Sequence, residues 1–311
     1  MGPDELIRIS YAAQRYFRDG RSRIQIAEEL DVSRFKIARM LEKARELGIV
    51  RIEISSPGTV DLDLSIELRS RFGLKRALAV STPNETPEVI QDSLGRVAAE
   101  LLEEIVTEDD VLGFTAGRTL NLVTKYLTVL PHVDVVALGG VAGAVKEHGV
   151  EIIRRVGRIA GGNAYPIFAP LLVSSAATAK SLRSDPLIAE VYSKFDHVTK
   201  GIIAIGSWAP PDSQLFTAAD EAGIASALVA EGVVGEVCAI LFDAEGTIID
   251  SIDDRSIAIT SEQLRAIPEI IAVGGGRRKT HAVLAAIRTG LIDTLVTDAA
   301  LATRLLHLAE D

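Results

Sequence analysis

Residues 111–120 read VLGFTAGRTL: an apolar run from Val111 to Phe114 breaks at a Thr-Ala-Gly-Arg-Thr turn and passes straight into a helical pattern. A strand that turns directly into a helix is the repeating unit of an open α/β sheet. The turn also has the chemistry of an anion cradle. Thr115 and Thr119 supply hydroxyls, Gly117 a closely approachable backbone, and the helix start unpaired N–H groups. Arg118 reads either as a further anion contact or as a solvated surface charge.

Working outward, helix-like and strand-like segments alternate. Ile90, Leu94, Val97, Leu101 and Ile105 form one helical stripe. Strand candidates follow at DVVAL (134), AYPIF (164), GIIAIG (201), VCAILFD (237), EIIAVGG (269) and DTLVTD (293), and the helix AALATRLLHLA comes last. Apolar runs bounded by glycine and separated by helices predict a mostly parallel sheet covered on both faces. Gly113, Gly139-Gly140, Gly206 and Gly274-Gly275-Gly276 fall at or just after predicted strand ends, the edge where such sheets bind ligands. Lys279 follows the glycine triplet and pairs with Arg118 as a candidate phosphate contact, ahead of Arg277 and Arg278. Glu236, Asp243, Asp253 and Asp254 are carboxylates suited to sugar hydroxyls or to turn capping. DAEG (243–246) has the form of a hairpin turn, which makes one of Asp243 and Glu245 structural. The histidines at 132, 148, 197, 281 and 307 lack metal-ligand spacing, so no metal or other cofactor is expected.

The 311-residue length favours two domains, and the 48% hydrophobic, 24% charged composition is that of a globular protein with an aliphatic core. The net charge of -10 divides unevenly: residues 1–56 hold 11 Lys/Arg against 9 Asp/Glu, and the remainder holds 22 against 34. The small N-terminal segment is therefore the basic part of an acidic chain. The uncharged stretch from Ile159 to Ala179 contains Gly161-Gly162, Asn163, Pro166 and Pro170, and reads as buried strand and loop rather than a membrane span. With no export signal and a single cysteine, Cys238, the expected compartment is the cytoplasm.

Within the basic segment, Leu6, Ile9, Ala13, Tyr16 and Phe17 mark a helix from Asp4 to Asp19, ended by Gly20. A short helix from Ser22 follows, with Ile24, Ala27 and Leu30 inward. Asp31-Val32 then makes a tight turn that asks Asp31 for a left-handed backbone. Ser33 is the N-cap of a third helix with Ile37, Leu41, Ala44 and Leu47 inward, stopped by Gly48. That is the spacing of a helix-turn-helix. Its outward residues Arg34, Phe35, Lys36, Arg39 and Lys43, with Ser33, are the candidate DNA contacts. IVRIEIS (49–55) predicts a wing-like strand and SSPGTVDLD (55–63) a linker, giving domains 1–56 and 57–311.

Taken in order, VLGFTAGRTL, VVALGGV, FAPLLV, GIIAIGSW, GVVGEVCAILFDAEGTIIDSIDDRSIAI and VGGGRRKTHAVLAAIRTG resemble the blocks of the SorC family of bacterial sugar-responsive transcriptional regulators over nearly the whole chain. The resemblance implies a winged-helix-like helix-turn-helix domain joined to a Rossmann-like α/β effector domain similar to sugar-phosphate isomerases and deaminases. It implies operator DNA and a sugar or sugar phosphate as partners, and assembly into dimers or tetramers. By position, the effector contacts would be Thr115, Gly117, Arg118, Thr119, Gly139, Gly140, Glu236 and Lys279. Some relatives place an imine-forming lysine just before the paired glycines; Leu138 occupies that position here, and Lys146 lies too far along to replace it. The competing reading is a sugar-phosphate isomerase or deaminase with Glu236 or Asp243 as base, which leaves the N-terminal module without a purpose.

Overall fold

A computed structural model of the chain describes residues 2–51, 58–142 and 149–309. They fall into two compact units, Met1–Ser55 and Ser56–Asp311.

The first unit is a three-helix cluster: α1 (Pro3–Ala13), extended by a wider π-helical turn Gln14–Arg18, then α2 (Arg23–Glu29) and α3 (Arg34–Glu46). Ser22 and Gln25 form a reciprocal capping box at α2, and the Ser33 hydroxyl accepts from Lys36 N at α3. Between them Asp31 takes φ +52°, the left-handed turn that the sequence demanded without supplying glycine. The closed core is Ile9, Ala12, Ala13, Ile26, Ala27, Ile37, Met40, Leu41 and Ala44. Four expected inward residues face out instead: Leu6, Phe17, Ile24 and Leu47 are 42%, 38%, 58% and 44% exposed. Two features account for Ile24 and Leu47: α2 has only two turns, so Ile26 rather than Ile24 meets α1 and α3, and Leu47 is already the C-cap of α3. The wing expected over 49–55 lies largely outside the described residues. Val50 packs on the helical core and donates to Ala44 O (3.1 Å).

The second unit begins with β1 (Val60–Asp61), α4 (Leu62–Phe72), β2 (Arg76–Val80), α5 (Pro87–Ile105), β3 (Val111–Phe114), α6 (Arg118–Tyr126) and β4 (Asp134–Ala137). Next come α7 (Gly149–Ala160), β5 (Ala164–Tyr165), α8 (Ala176–Arg183), α9 (Pro186–Tyr192), β6 (Lys200–Trp208), β7 (Pro211–Asp212), α10 (Gln214–Glu221) and α11 (Ala225–Ala230). The remainder is β8 (Gly235–Val237), β9 (Ile240–Phe242), β10 (Ile248–Ile249), α12 (Ser261–Ala266), β11 (Glu269–Val273), α13 (Thr280–Arg288), β12 (Thr294–Asp298) and α14 (Ala299–Leu308). The expected linker is shorter than 55–63: its first residues lie outside the described ones, and Val60–Asp61 already pairs antiparallel with β2.

The main sheet runs β1-β2-β12-β11-β6-β3-β4-β5 and is parallel from β2 to β5. Its central strands β11 and β12 are buried at every residue, as a sheet with helices on both faces requires. From β3 the chain winds out to β4 and β5, then returns to lay β6 on β3's other side and continues to β11 and β12. The strand order therefore reverses between β3 and β6. Only Ala164–Tyr165 of the predicted AYPIF strand is in the ladder, because Pro166 has no N–H to donate.

The predicted strand VCAILFD is instead an antiparallel hairpin, β8 and β9. Past Ala204, β6 leaves the main sheet, and Ile205–Ser207 pairs with β8. This branch has its own core around Trp208, Leu215, Leu228, Leu241 and Ile252. Gly113 and Gly206 accordingly lie within strands rather than beyond them. A Cβ at Gly113 would come within 2.7 Å of Leu138 Cδ2, so packing against β4 explains that glycine.

Candidate functional site

All eight expected effector residues line one pocket, above the carboxyl ends of β3, β4, β6 and β11 at the reversal of strand order. The wall from β3 is the turn Thr115–Thr119 leading into α6. Gly117 is the N-cap of α6 and no side chain caps it, and Gly117, Arg118 and Thr119 line the pocket, so the positive end of the helix dipole lies at its wall. Thr115 is buried, and its hydroxyl accepts from Ala204 N (3.1 Å), which pins the turn to β6. Arg118 is ion-paired with Asp212 on the same rim while its side chain stays 43% exposed to solvent.

Gly139 and Gly140 form the wall from β4. The Gly140 N–H is already given to Ile257 O (2.7 Å), and a Cβ there would stand 2.5 Å from Ala169 O. Its glycine is therefore set by backbone packing, and any contact it offers a ligand is its open surface, not its amide. Leu138 is fully buried against β3, in a place that admits no reactive amine. Lys146 lies outside the described residues.

Glu236 and Lys279 supply the opposing chemistry. Glu236 Oε1 accepts from the Ser213 hydroxyl (2.9 Å), while Ser213 Oγ also accepts from Phe216 N to cap α10. Burial holds the Glu236 carboxyl above its ordinary range, against the pull of Ser213 and of the Lys279 cation. Lys279 donates to Ile205 O, and burial lowers its ammonium, opposed by Asp212 and Glu236. A half-buried acid and a half-buried amine in one cavity, each disfavoured as an ion, are stabilised by a ligand that brings both hydroxyls and negative charge. Arg277 and Arg278 turn away: Arg278 donates to Pro211 O (2.8 Å) and neither lines the pocket.

Sequence reasoning missed Ser213, Asp212, Gln214 and Cys238, which also line the pocket. They belong to β7, α10 and the β8–β9 turn, elements that become neighbours of β3 only because β6 crosses from one sheet to the other. Of the other carboxylates, Asp243 is the structural one: its Oδ1 accepts from Glu245 N and Thr247 N in the β9–β10 hairpin. Among the described residues no group of three His, Cys, Asp or Glu is arranged to hold a metal, and no helix is long and apolar enough to cross a membrane.

In the first unit, Arg34, Phe35, Lys36 and Arg39 are exposed on α3, beside the Ser33 cap. Lys43 differs, because its Nζ pairs with Glu5 at 2.8 Å and ties α3 to α1. It can reach a phosphate only by giving up that carboxylate.

Residues 56–307 match the family model described as "Putative sugar-binding domain". The deoxyribonucleoside regulator of Bacillus subtilis (strain 168) is 28% identical over 92% of this chain and 93% of its own length. The transcriptional regulator LsrR of Enterobacter sp. (strain 638) is 28% identical over 97% and 93%. The crystal structure of the full-length sorbitol operon regulator SorC from Klebsiella pneumoniae superposes with a TM-score of 0.74, covering 98% of this chain and all of that one at 24% identity, and shares its fold. A matched domain model over most of the chain, with relatives matched over nearly their full length that are transcriptional regulators, places it: the chain belongs to the SorC family of regulators with a sugar-binding domain.

Proposed function

We propose that the chain is a sequence-specific DNA-binding transcriptional regulator, not an enzyme, whose operator affinity is set by a sugar or sugar phosphate held in the strand-edge pocket. Residues 1–56 bind DNA, and residues 57–311 bind the effector and assemble the homo-oligomer in the cytoplasm. The observation that carries this reading is the convergence of the uncapped α6 terminus, Lys279, Arg118 and Glu236 on one cavity, in a chain whose other unit exposes a cationic helix-turn-helix face. Thr115, Gly117 and Thr119 with Lys279 would take the phosphate or its equivalent, and Glu236 with Ser213 the hydroxyls. The relatives' names, a deoxyribonucleoside regulator and a sorbitol operon regulator, support a carbohydrate effector.

For regulation the effector must bind two states of the assembly unequally. The test is binding of the full chain to DNA flanking its own gene, with and without a panel of pentose, hexose and polyol phosphates and their free forms. The expected result is retention of one fragment and a shift of its affinity by one member of the panel. Retention of no fragment overturns the reading. Turnover of any panel member by the full chain would replace it with the isomerase or deaminase reading.

A further inference from the structure

The start of α3 carries a surface that the core does not explain. Phe35 is 67% exposed and Ile24 58% exposed, although the core beneath them is closed over Ile26, Ile37 and Met40. With Tyr16 they line a cleft between the first turns of α2 and α3, rimmed by Arg23 and Arg34. The Arg34 guanidinium lies 5.0 Å from the Phe35 ring centroid and Arg23 lies 5.7 Å from that of Tyr16. Exposed Lys36 and Arg39 continue the positive charge along α3.

A single exposed apolar side chain needs no explanation, but two adjoining ones inside a cationic rim do. Their partner must offer an apolar group flanked by negative charge. Duplex DNA does so in the major groove, where the thymine 5-methyl group projects between two rails of phosphate as the only methyl group on the unmodified base-pair edges. Phe35 is the second residue of α3, within the first turn that a helix-turn-helix directs at base edges.

We propose that Phe35, backed by Ile24, reads a thymine 5-methyl group, with Arg34 and Arg23 on the phosphates beside it. The inference rests on the DNA-binding reading above and adds to it the chemistry by which one base is chosen. The Arg34–Phe35 stacking holds the ring outward, so the contact is prepared before DNA arrives.

The experiment enriches duplexes from a random-sequence pool with the full-length protein, then replaces each thymine of an enriched duplex by deoxyuridine, which removes the methyl group alone. Fluorescence anisotropy is expected to show about fourfold weaker binding at one or two thymines per half-site, the effect of one methyl-sized apolar group. Phe35→Ala is expected to bind the all-thymine duplex more weakly and to be indifferent to those substitutions, whereas Phe35→Leu retains part of the discrimination. Indifference of the unsubstituted protein to every deoxyuridine, or unchanged discrimination in Phe35→Ala, overturns the inference while leaving DNA binding intact. A pool that yields no retained duplex overturns the DNA-binding reading itself and this inference with it. Capture of acidic peptides at this face in place of duplex would also overturn it.

Discussion

At the scale of single residues, the pocket is governed by groups kept away from their preferred charge. Because burial raises the Glu236 carboxyl, the folded chain binds that proton more tightly than the unfolded chain. The resulting stability is present in full below the unfolded value of 4.5 and is lost as pH rises through the raised folded value. Glu236→Gln preserves the shape and an acceptor for Ser213 but does not titrate. The variant's melting temperature, relative to the unsubstituted protein, should therefore climb as pH rises from 4.5 towards 7.5, by roughly 2–4 °C for each kcal/mol involved. A gap in thermal melts that stays level or narrows would contradict this account. Asp212 invites a second substitution, because its carboxylate occupies the cation that an anionic effector would use. Asp212→Asn should tighten a phosphorylated effector by about threefold to fivefold and leave a neutral sugar unchanged, as removal of one partly exposed charge allows. Calorimetric titration of both ligand types checks it. Gly206 supports the same group differently. A Cβ there would stand 2.0 Å from Glu236 Oε1, so Gly206→Ala should abolish the effector response while leaving operator binding within about twofold.

At the scale of elements, what the sequence made legible follows the strength of local signals. The parallel strands β3, β4, β6, β11 and β12 were readable because each is an apolar run bounded by glycine or a charge. The β8–β9 hairpin was not, since its two turn residues, Cys238 and Ala239, adopt φ +52° and +65° without the Gly, Asn or Asp that normally announces such a turn. Hiding that turn also hid the second sheet, and with it Ser213 and Asp212 as neighbours of Thr115. β2 was overlooked because RALAV is short and only its last two residues are buried. In the first unit the cap at Ser33 was visible, whereas the capping box at Ser22 and the rotation of the two-turn α2 were decided by local geometry and packing. Asp31 is a point where sequence and element disagree. Its left-handed backbone suits glycine better, so Asp31→Gly should stabilise the first unit by roughly 0.5–1 kcal/mol, offset in part by a freer unfolded chain. Ser33→Ala should lower its stability by about 1 kcal/mol through loss of the α3 cap. Chemical denaturation followed by far-ultraviolet circular dichroism measures both, and a destabilised Asp31→Gly would show that the aspartate has a local partner of more value than the strain it bears.

At the scale of the whole molecule, the two compact units separate the two proposed tasks, and this makes their coupling measurable. Arg39 lies in the first unit and Lys279 in the second, so each variant should lose one function by direct contact. Arg39→Ala should weaken operator binding by about tenfold or more, and should reduce its salt dependence if the contact is to phosphate. Its effector affinity without DNA should be unchanged. Lys279→Ala should do the reverse, removing a cation from the pocket while leaving basal operator binding intact. Thermodynamic reciprocity then imposes a stricter condition than two independent losses. If the effector alters operator affinity by some factor in the unsubstituted protein, operator DNA must alter effector affinity by the same factor. In Arg39→Ala the absolute affinities for DNA fall, but that factor should survive, because the substitution touches neither the pocket nor the equilibrium between the two states. Titrations of effector with and without operator, and of operator with and without effector, close the cycle. A coupling factor that collapses in Arg39→Ala would mean that the α3 contact itself differs between the two states, and that the DNA-binding unit is part of the switch rather than only its output.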